Sequence, residues 1–296
     1  METTNAIKPN FDNLWDYNQP AATEERFHAL LPQFVDDPAR HAELLTQIAR
    51  TQGLQRRFDE AHATLDAAQT LLANRTSCAQ IRYLLERGRV FNSAGKADAA
   101  RPLFLAAWEL AQQTREDFHA IDAAHMLAII EAPAEQQRWN RLALALTEQS
   151  ADPRAKKWLG ALNNNLGWSS FDQGDYSTAL DYFYQALAAR ETQGDENPIR
   201  IARWCVAKAL RMLGRVDEAL TIQEALLAIN QQLGEPDGYV YEELGECYLA
   251  LHQLAKATQA FAQAYTRLAQ DSWLVANEGE RLARLKMLGQ PSEPLA

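Results

Sequence analysis

Residues 162–192 read LNNNLGWSSFDQGDYSTALDYFYQALAARET. A small residue, Gly167, is followed by Ala179, Phe183 and Ala186 at steps of 12, 4 and 3. The same steps recur in Gly88, Ala100, Phe104, Ala107 and in Gly245, Ala257, Phe261, Ala264. Two looser sets keep the spacing with substitutions: Ala49, Ala61, Leu65, Ala68 and Ala207, Ala219, Gln223, Leu226. In three sets a glycine lies 7 residues past the small anchor, as Gly95, Gly174 and Gly214.

The spacing has a mechanical meaning. Residues at i, i+4 and i+7 share one helix face, so the Ala and Phe positions line one side of a second helix. The small anchor lets a first helix approach it closely, and the glycine supplies the left-handed residue that ends a helix and opens a turn. Each unit is a helical hairpin that cannot bury its apolar side alone and needs copies as neighbours.

These residues resemble the tetratricopeptide repeat family. Leu166-Gly167 and Leu244-Gly245 match its first helix, and the Ala, Phe and later Ala match its second. The family's early tryptophan is missing, and its final proline is mostly missing. Its usual period is about 34 residues. Here the anchors Gly167, Ala207 and Gly245 are 40 and 38 apart. The longer period and the LNNNLG string are similar to the subgroup of kinesin light chains and of bacterial regulator domains related to the maltose activator. The resemblance covers about residues 39–271. It implies an all-α, right-handed superhelical solenoid of about six hairpins with capping helices at both ends.

The domain reading follows. Residues 1–36 form an N-terminal arm and capping helix, with Pro20 to Phe34 helical. Residues 37–271 form the solenoid, with repeats at about 38–74, 77–115, 117–150, 153–194, 198–234 and 236–271. Asp37-Pro38, Asp152-Pro153, Asn197-Pro198 and, more weakly, Glu235-Pro236 read as starts of first helices. The third repeat is divergent, with helices near Asp117–Ile130 and Ala134–Glu148. Ala124, Leu127, Trp139, Ala143 and Leu146 are its candidate contacts, in an open register. Residues 272–289 form one C-terminal capping helix, and 290–296 a disordered tail.

Composition narrows the function classes. The net charge is −10 and the pI about 5.2, against the basic face of a nucleic-acid binder. Cys78, Cys205 and Cys247 are sparse and far apart, which suits a reducing compartment and argues against structural zinc. The polar start METTNAIKPN does not read as a secretory signal, and no stretch of 18 apolar residues could span a membrane. Asn74-Arg75-Thr76 fits a glycosylation acceptor by spacing alone. No phosphate loop, HExxH or nucleophile elbow occurs, and His119 and His125 lie six apart on different helix faces. The expectation is therefore no catalytic residue, metal or cofactor.

The resemblance places the binding groove on the first helices, at offsets −6, −3, +1 and +4 from each anchor, which share one face. These offsets select Ile201 and Tyr239 among others, and the groove candidates drawn from them are Arg82, Arg89, Asn92, Asn164 with its neighbour Asn165, Trp168, Trp204, Lys208, Arg211, Glu242 and Glu246. Asparagines would hold a peptide backbone, since their amides both donate and accept. Tryptophans would supply an apolar anchor. Arg82, Arg89, Lys208 and Arg211 would take carboxylates, while Glu242 and Glu246 make the far end acidic. For each of these the ordinary alternative is packing or a solvated helix face. The leading reading is a bacterial, cytoplasmic, non-enzymatic scaffold for a peptide or protein with acidic groups or a free C-terminus. A regulatory sensor of a signalling peptide or small molecule is the alternative, and an enzyme with an unrecognised site is a third.

Overall fold

The computed structural model describes residues 10–72 and 78–290. The Asn74 sequon, residues 1–9 and residues 291–296 lie outside them. All regular structure among the described residues is helical. The chain forms two compact units, one ending at Trp158 and the other starting at Leu159.

In the first unit, a short 3₁₀ turn at Phe11–Leu14 precedes α1 (Pro20–Leu30). Pro32 lacks the N–H that a continuing α-helix needs, and Leu31–Phe34 is a 3₁₀ turn rather than the end of one helix to Phe34. Three hairpins follow: α2 (Pro38–Leu54) with α3 (Phe58–Leu71), α4 (Cys78–Ser93) with α5 (Ala97–Thr114), and α6 (Asp117–Ile130) with α7 (Pro133–Gln149). The first helices pack in series, α2 on α4 and α4 on α6. Asp37 caps α2 through the Arg40 N–H at 3.3 Å.

Asp152-Pro153 opens only the single turn α8 (Pro153–Lys156), with Asp152 accepting from the Arg154 N–H at 2.8 Å. The second unit then begins with α9 (Leu159–Asp172), paired with α10 (Tyr176–Gln193). The next hairpins are α11 (Glu196–Met212) with α12 (Val216–Leu233), and α13 (Gly238–Ala250) with α14 (Leu254–Leu268). Two expected caps shift. Asp195, not Asn197, stands at the start of α11, and Asp237, past Glu235-Pro236, caps α13 through the Tyr239 N–H at 2.8 Å. The last expected helix is two: α15 (Ser272–Asn277) and α16 (Gly279–Leu288), broken at Glu278, whose ψ of 40° is not helical. α16 packs on α14.

Each hairpin core joins the anchor to the second helix. Phe104, Phe183 and Phe261 are fully buried, and a Cβ on Gly88, Gly167 or Gly245 would sit 2.4, 2.5 or 2.7 Å from the facing ring. Where the anchor is alanine the partner is not aromatic: Leu65 faces the Ala49 repeat and Gln223 the Ala207 repeat. The position 7 past the anchor is left-handed in all five sets, as Arg56, Gly95, Gly174, Gly214 and His252. The divergent repeat now has a register. α6 ends 6 residues after Ala124 and α7 begins 9 after it, against 5 and 9 around Gly88. Asn140, 1% exposed, therefore takes the place of Phe104, and Ala143, fully buried, the place of Ala107.

Candidate functional site

The second unit carries an aromatic row across consecutive first helices. Trp168 comes from α9, Trp204 from α11 and Tyr239 from α13. Trp168 and Trp204 ring centroids are 6.1 Å apart, and Trp204 and Tyr239 6.2 Å. Trp168 also meets Phe171 at 5.2 Å and the core ring of Phe183 at 5.4 Å. The two tryptophans thus serve packing on one edge, yet both are only half-buried. The Trp204 indole N–H donates to the Tyr239 carbonyl at 3.2 Å, which fixes the tilt of the ring.

Beside this row lies a hollow of about 670 Å³, lined by Arg200, Ile201, Trp204, Asn230, Tyr239 and Arg267 among others. Ile201 is 53% exposed and Tyr239 37%, unusual for large apolar groups that share a concavity. Both occupy the −6 position of their repeats. Arg200 is held by Asn230 Oδ1 at 3.1 Å and Glu235 at 2.8 Å. The signal that would have promoted Ile201 and Tyr239 was present in the repeat offsets. Asn230 and Arg267 come from the ends of second helices, which those offsets do not reach.

The groove charges are bound within the fold. Glu243, 1% exposed, accepts from Lys208 Nζ at 2.5 Å and Arg211 Nε at 2.8 Å. Burial alone would push the Glu243 carboxyl up. The Arg211 hydrogen bonds and the Lys208 charge outweigh it and hold it below the usual carboxylate range. Lys208 also lies 5.0 Å over the Trp204 ring. Glu242 accepts from Arg281 of α16 at 3.0 Å, and Glu246 from Arg284 at 2.5 Å.

In the first unit Arg82 bonds both Asp12 oxygens, at 2.9 and 2.8 Å, and its Nε is 3.1 Å from Glu43. Arg89 bridges Glu86, at 2.5 Å, and Asp122. Burial opposes ionisation of Asp122, but Arg89 and then Arg50 hold its carboxyl low. The expected open basic interior is therefore neutralised at Arg82, Arg89, Lys208 and Arg211. The reason is that cations this deep in a helical array need partners.

The asparagines divide. Asn164 Oδ1 accepts from the Cys205 thiol at 3.5 Å, and half-buried Asn165 and Asn92 lie on the first helices α9 and α4. Asn163, which was not a groove candidate, donates to its own helix at Leu159 O, 3.0 Å.

The chain's own N-terminal segment lies on α2 and α4. Phe11 is fully buried against Phe34 at 5.5 Å and Phe27 at 6.5 Å. The Trp15 indole N–H donates to Gln47 Oε1 at 2.9 Å, and Trp15 stacks on Tyr17 at 4.7 Å.

Repeated hairpins with small-to-aromatic cores, stacked through their first helices, define a helical repeat protein of the solenoid class. Residues 164–192 and 198–270 each match a family model described as tetratricopeptide repeat, and these stretches are tetratricopeptide repeats. Solved structures agree on the fold. A STAND signal-transduction ATPase with a tetratricopeptide repeat sensor, from Pyrococcus horikoshii, matches with a TM-score of 0.69 at 16% identity, covering 93% of this chain and 43% of that one. The Cut9–Hcn1 hetero-tetramer of APC/C matches at 0.63 and 17% identity, covering 95% and 48%. The apo quorum sensor NprR of B. thuringiensis matches at 0.61 and 14%, covering 92% and 83%. The chain spans about half the length of the first two. No curated protein matches in sequence. The fold is in general a non-catalytic interaction scaffold. No helix among the described residues is long and apolar enough to cross a membrane.

Proposed function

We propose that the protein binds a peptide or protein segment along α9, α11 and α13 of its second unit, anchored by an apolar side chain against Trp204, Tyr239 and Ile201. The observation that carries this is the half-exposed aromatic row bordering a 670 Å³ hollow. Aromatic groups in concave, partly dry settings are where binding energy concentrates. Asn164 and Asn165 serve the ligand backbone at the edge of the row. Lys208 and Arg211 act chiefly through Glu243, so apolar rather than acidic recognition leads. The acidic-group preference then falls to Arg200 and Arg267, which border the hollow. Three free cysteines suit a reducing, cytoplasmic setting.

A second reading is a sensor. A hollow of about 300 Å³ in the first unit, lined by Arg50, Arg89, Asp122 and His125 and bordered by Tyr17 of the N-terminal segment, favours it. A small polar ligand there would have to displace that segment.

The test selects peptides from a random display library on the full chain and measures their affinity by fluorescence polarisation. Trp204→Ala and Ile201→Glu should each weaken the selected peptides at least ten-fold with helix content unchanged. Wild-type affinity in both variants would remove the aromatic row as the binding face. Peptides that lose affinity only on Arg89→Ala would move the site to the first unit.

A further inference from the structure

A group of reactive side chains in the first unit adjoins the 300 Å³ hollow, which His119 helps to line. Cys78, the first described residue of α4, faces His119 of α6, with Sγ 3.7 Å from Nε2. The other ring nitrogen, Nδ1, stands 3.5 Å from Glu116 Oε2. His119 is 1% exposed, while Cys78 and Glu116 are half-buried. Thiol, imidazole and carboxylate thus stand in series, with the base beside the nucleophile through one nitrogen and beside the carboxylate through the other. Each of the three also offers one ligand atom within 4.8 Å of the others, so a metal ion competes for the same groups.

The surroundings favour a charged imidazole. Burial by itself would keep His119 neutral, yet Cys78 and Glu116 outweigh burial and raise it to about 9. Other charges facing the imidazole are Arg82 of α4, Asp122 of α6 and Asp152 at the start of α8. Arg154 lies 3.9 Å from Glu116. Arg82 also lies near the sulfur, with its charge shared with Asp12 and Glu43. Cationic, partly open settings are those in which cysteines react. Cys205 and Cys247 are the contrast: both are buried, and burial pushes each thiol up to about 12.

We propose that Cys78 is a redox-reactive thiolate, held by the His119 imidazolium and the Glu116 carboxylate, that is oxidised by hydroperoxides. The Cys78 sulfur attacks one peroxide oxygen. The S–O bond forms as the O–O bond breaks, and the leaving hydroxide or alkoxide takes the Nε2 proton of His119. Sulfur loses two electrons to become a sulfenic acid, and the peroxide is reduced to water or an alcohol. Neutral His119 then regains a proton from solvent. The oxidised sulfur no longer accepts a charged hydrogen bond from α6, so the modification loosens the α4–α6 contact.

The experiment uses the full chain. Residue-resolved mass spectrometry follows iodoacetamide labelling of Cys78 from pH 5 to 9, and dimedone trapping after hydrogen peroxide. At pH 7 Cys78 should label faster than a free-cysteine peptide. His119→Gln should slow the labelling at least ten-fold, and Glu116→Gln should slow it by less. Dimedone should label Cys78 and spare Cys205 and Cys247. If His119→Gln fails to fold by circular dichroism, Glu116→Gln, whose side chain is 32% exposed, carries the test. Wild-type labelling no faster than that of the peptide, unchanged labelling in the folded variants, or no dimedone adduct at Cys78 would each overturn the proposal.

Discussion

Gly167 and Phe183 are in contact where α9 meets α10: a Cβ added to Gly167 would stand 2.5 Å from Phe183 Cε1. That distance is shorter than any real contact, so the glycine is there to admit the ring. The same pair recurs as Gly88–Phe104 and Gly245–Phe261. The hairpin core is set by this exchange of volume between the two helices.

Gly167→Ala should therefore destabilise the protein by about 1–3 kcal/mol through overpacking. Phe183→Ala should cost about 3–5 kcal/mol through its cavity. The double variant Gly167→Ala, Phe183→Leu should lose less than the sum of its singles, because the smaller side chain accepts the added methyl. Urea unfolding of the wild type, Gly167→Ala, Phe183→Leu and the double variant gives the coupling, and strict additivity would show that the two residues do not share the space.

Gln223 occupies the phenylalanine position of the Ala207 repeat. It is fully buried, and neither its amide nitrogen nor its oxygen has a hydrogen-bond partner. Gln223→Met keeps the slender shape beside the Ala207 methyl and removes the unsatisfied amide. A gain of about 1–2 kcal/mol in urea unfolding is expected. Gln223→Phe should gain nothing unless Ala207→Gly is made with it.

The Glu243 carboxyl, kept low by Arg211 and Lys208 despite burial, makes part of the stability acid-sensitive. The folded state binds this proton less readily than the unfolded chain. The contribution is therefore complete above the ordinary carboxylate range and is lost as pH falls below it toward the folded value. Arg211→Ala, which leaves the nearly inaccessible carboxylate with Lys208 alone, should cost about 3 kcal/mol at neutral pH. It should also flatten the fall in stability with acid, measured by thermal unfolding from pH 7 to 3. An unchanged acid slope would assign the loss to other carboxylates.

The repeat was legible because its signals are local. Anchor, Ala, Phe and Ala are spaced by helix geometry, and the spacing survives wherever the Gly–Phe exchange survives. It faded at residues 117–150 because Asn140 stands where the ring should be and Ala124 where the glycine should be, which leaves no contrast in size to read. The turn position carried a similar ambiguity. Arg56 and His252 adopt the left-handed backbone at φ 61° and 58° that glycine marks elsewhere, so their turns are fixed by the helices on either side.

The groove was half legible. Offsets from the anchors placed Trp168, Trp204 and Tyr239 on consecutive first helices, and those helices bring the rings together. Charge could not be read the same way. Arg82 finds Asp12 from 70 residues away, Arg211 finds Glu243 from 32, and Glu242 finds Arg281 from 39. Whether a cation is offered to a ligand or satisfied inside depends on which carboxylate the packing carries to it.

By itself the sequence determined the hairpin and its reiteration, because helix periodicity and the size of a few side chains act over less than one repeat. Only the tertiary structure decided which polar groups are occupied, that the segment around Phe11 lies on α2 and α4, and that Cys78 meets His119. Those pairings join residues tens of positions apart, and their energies depend on burial and distance, which no spacing along the chain encodes.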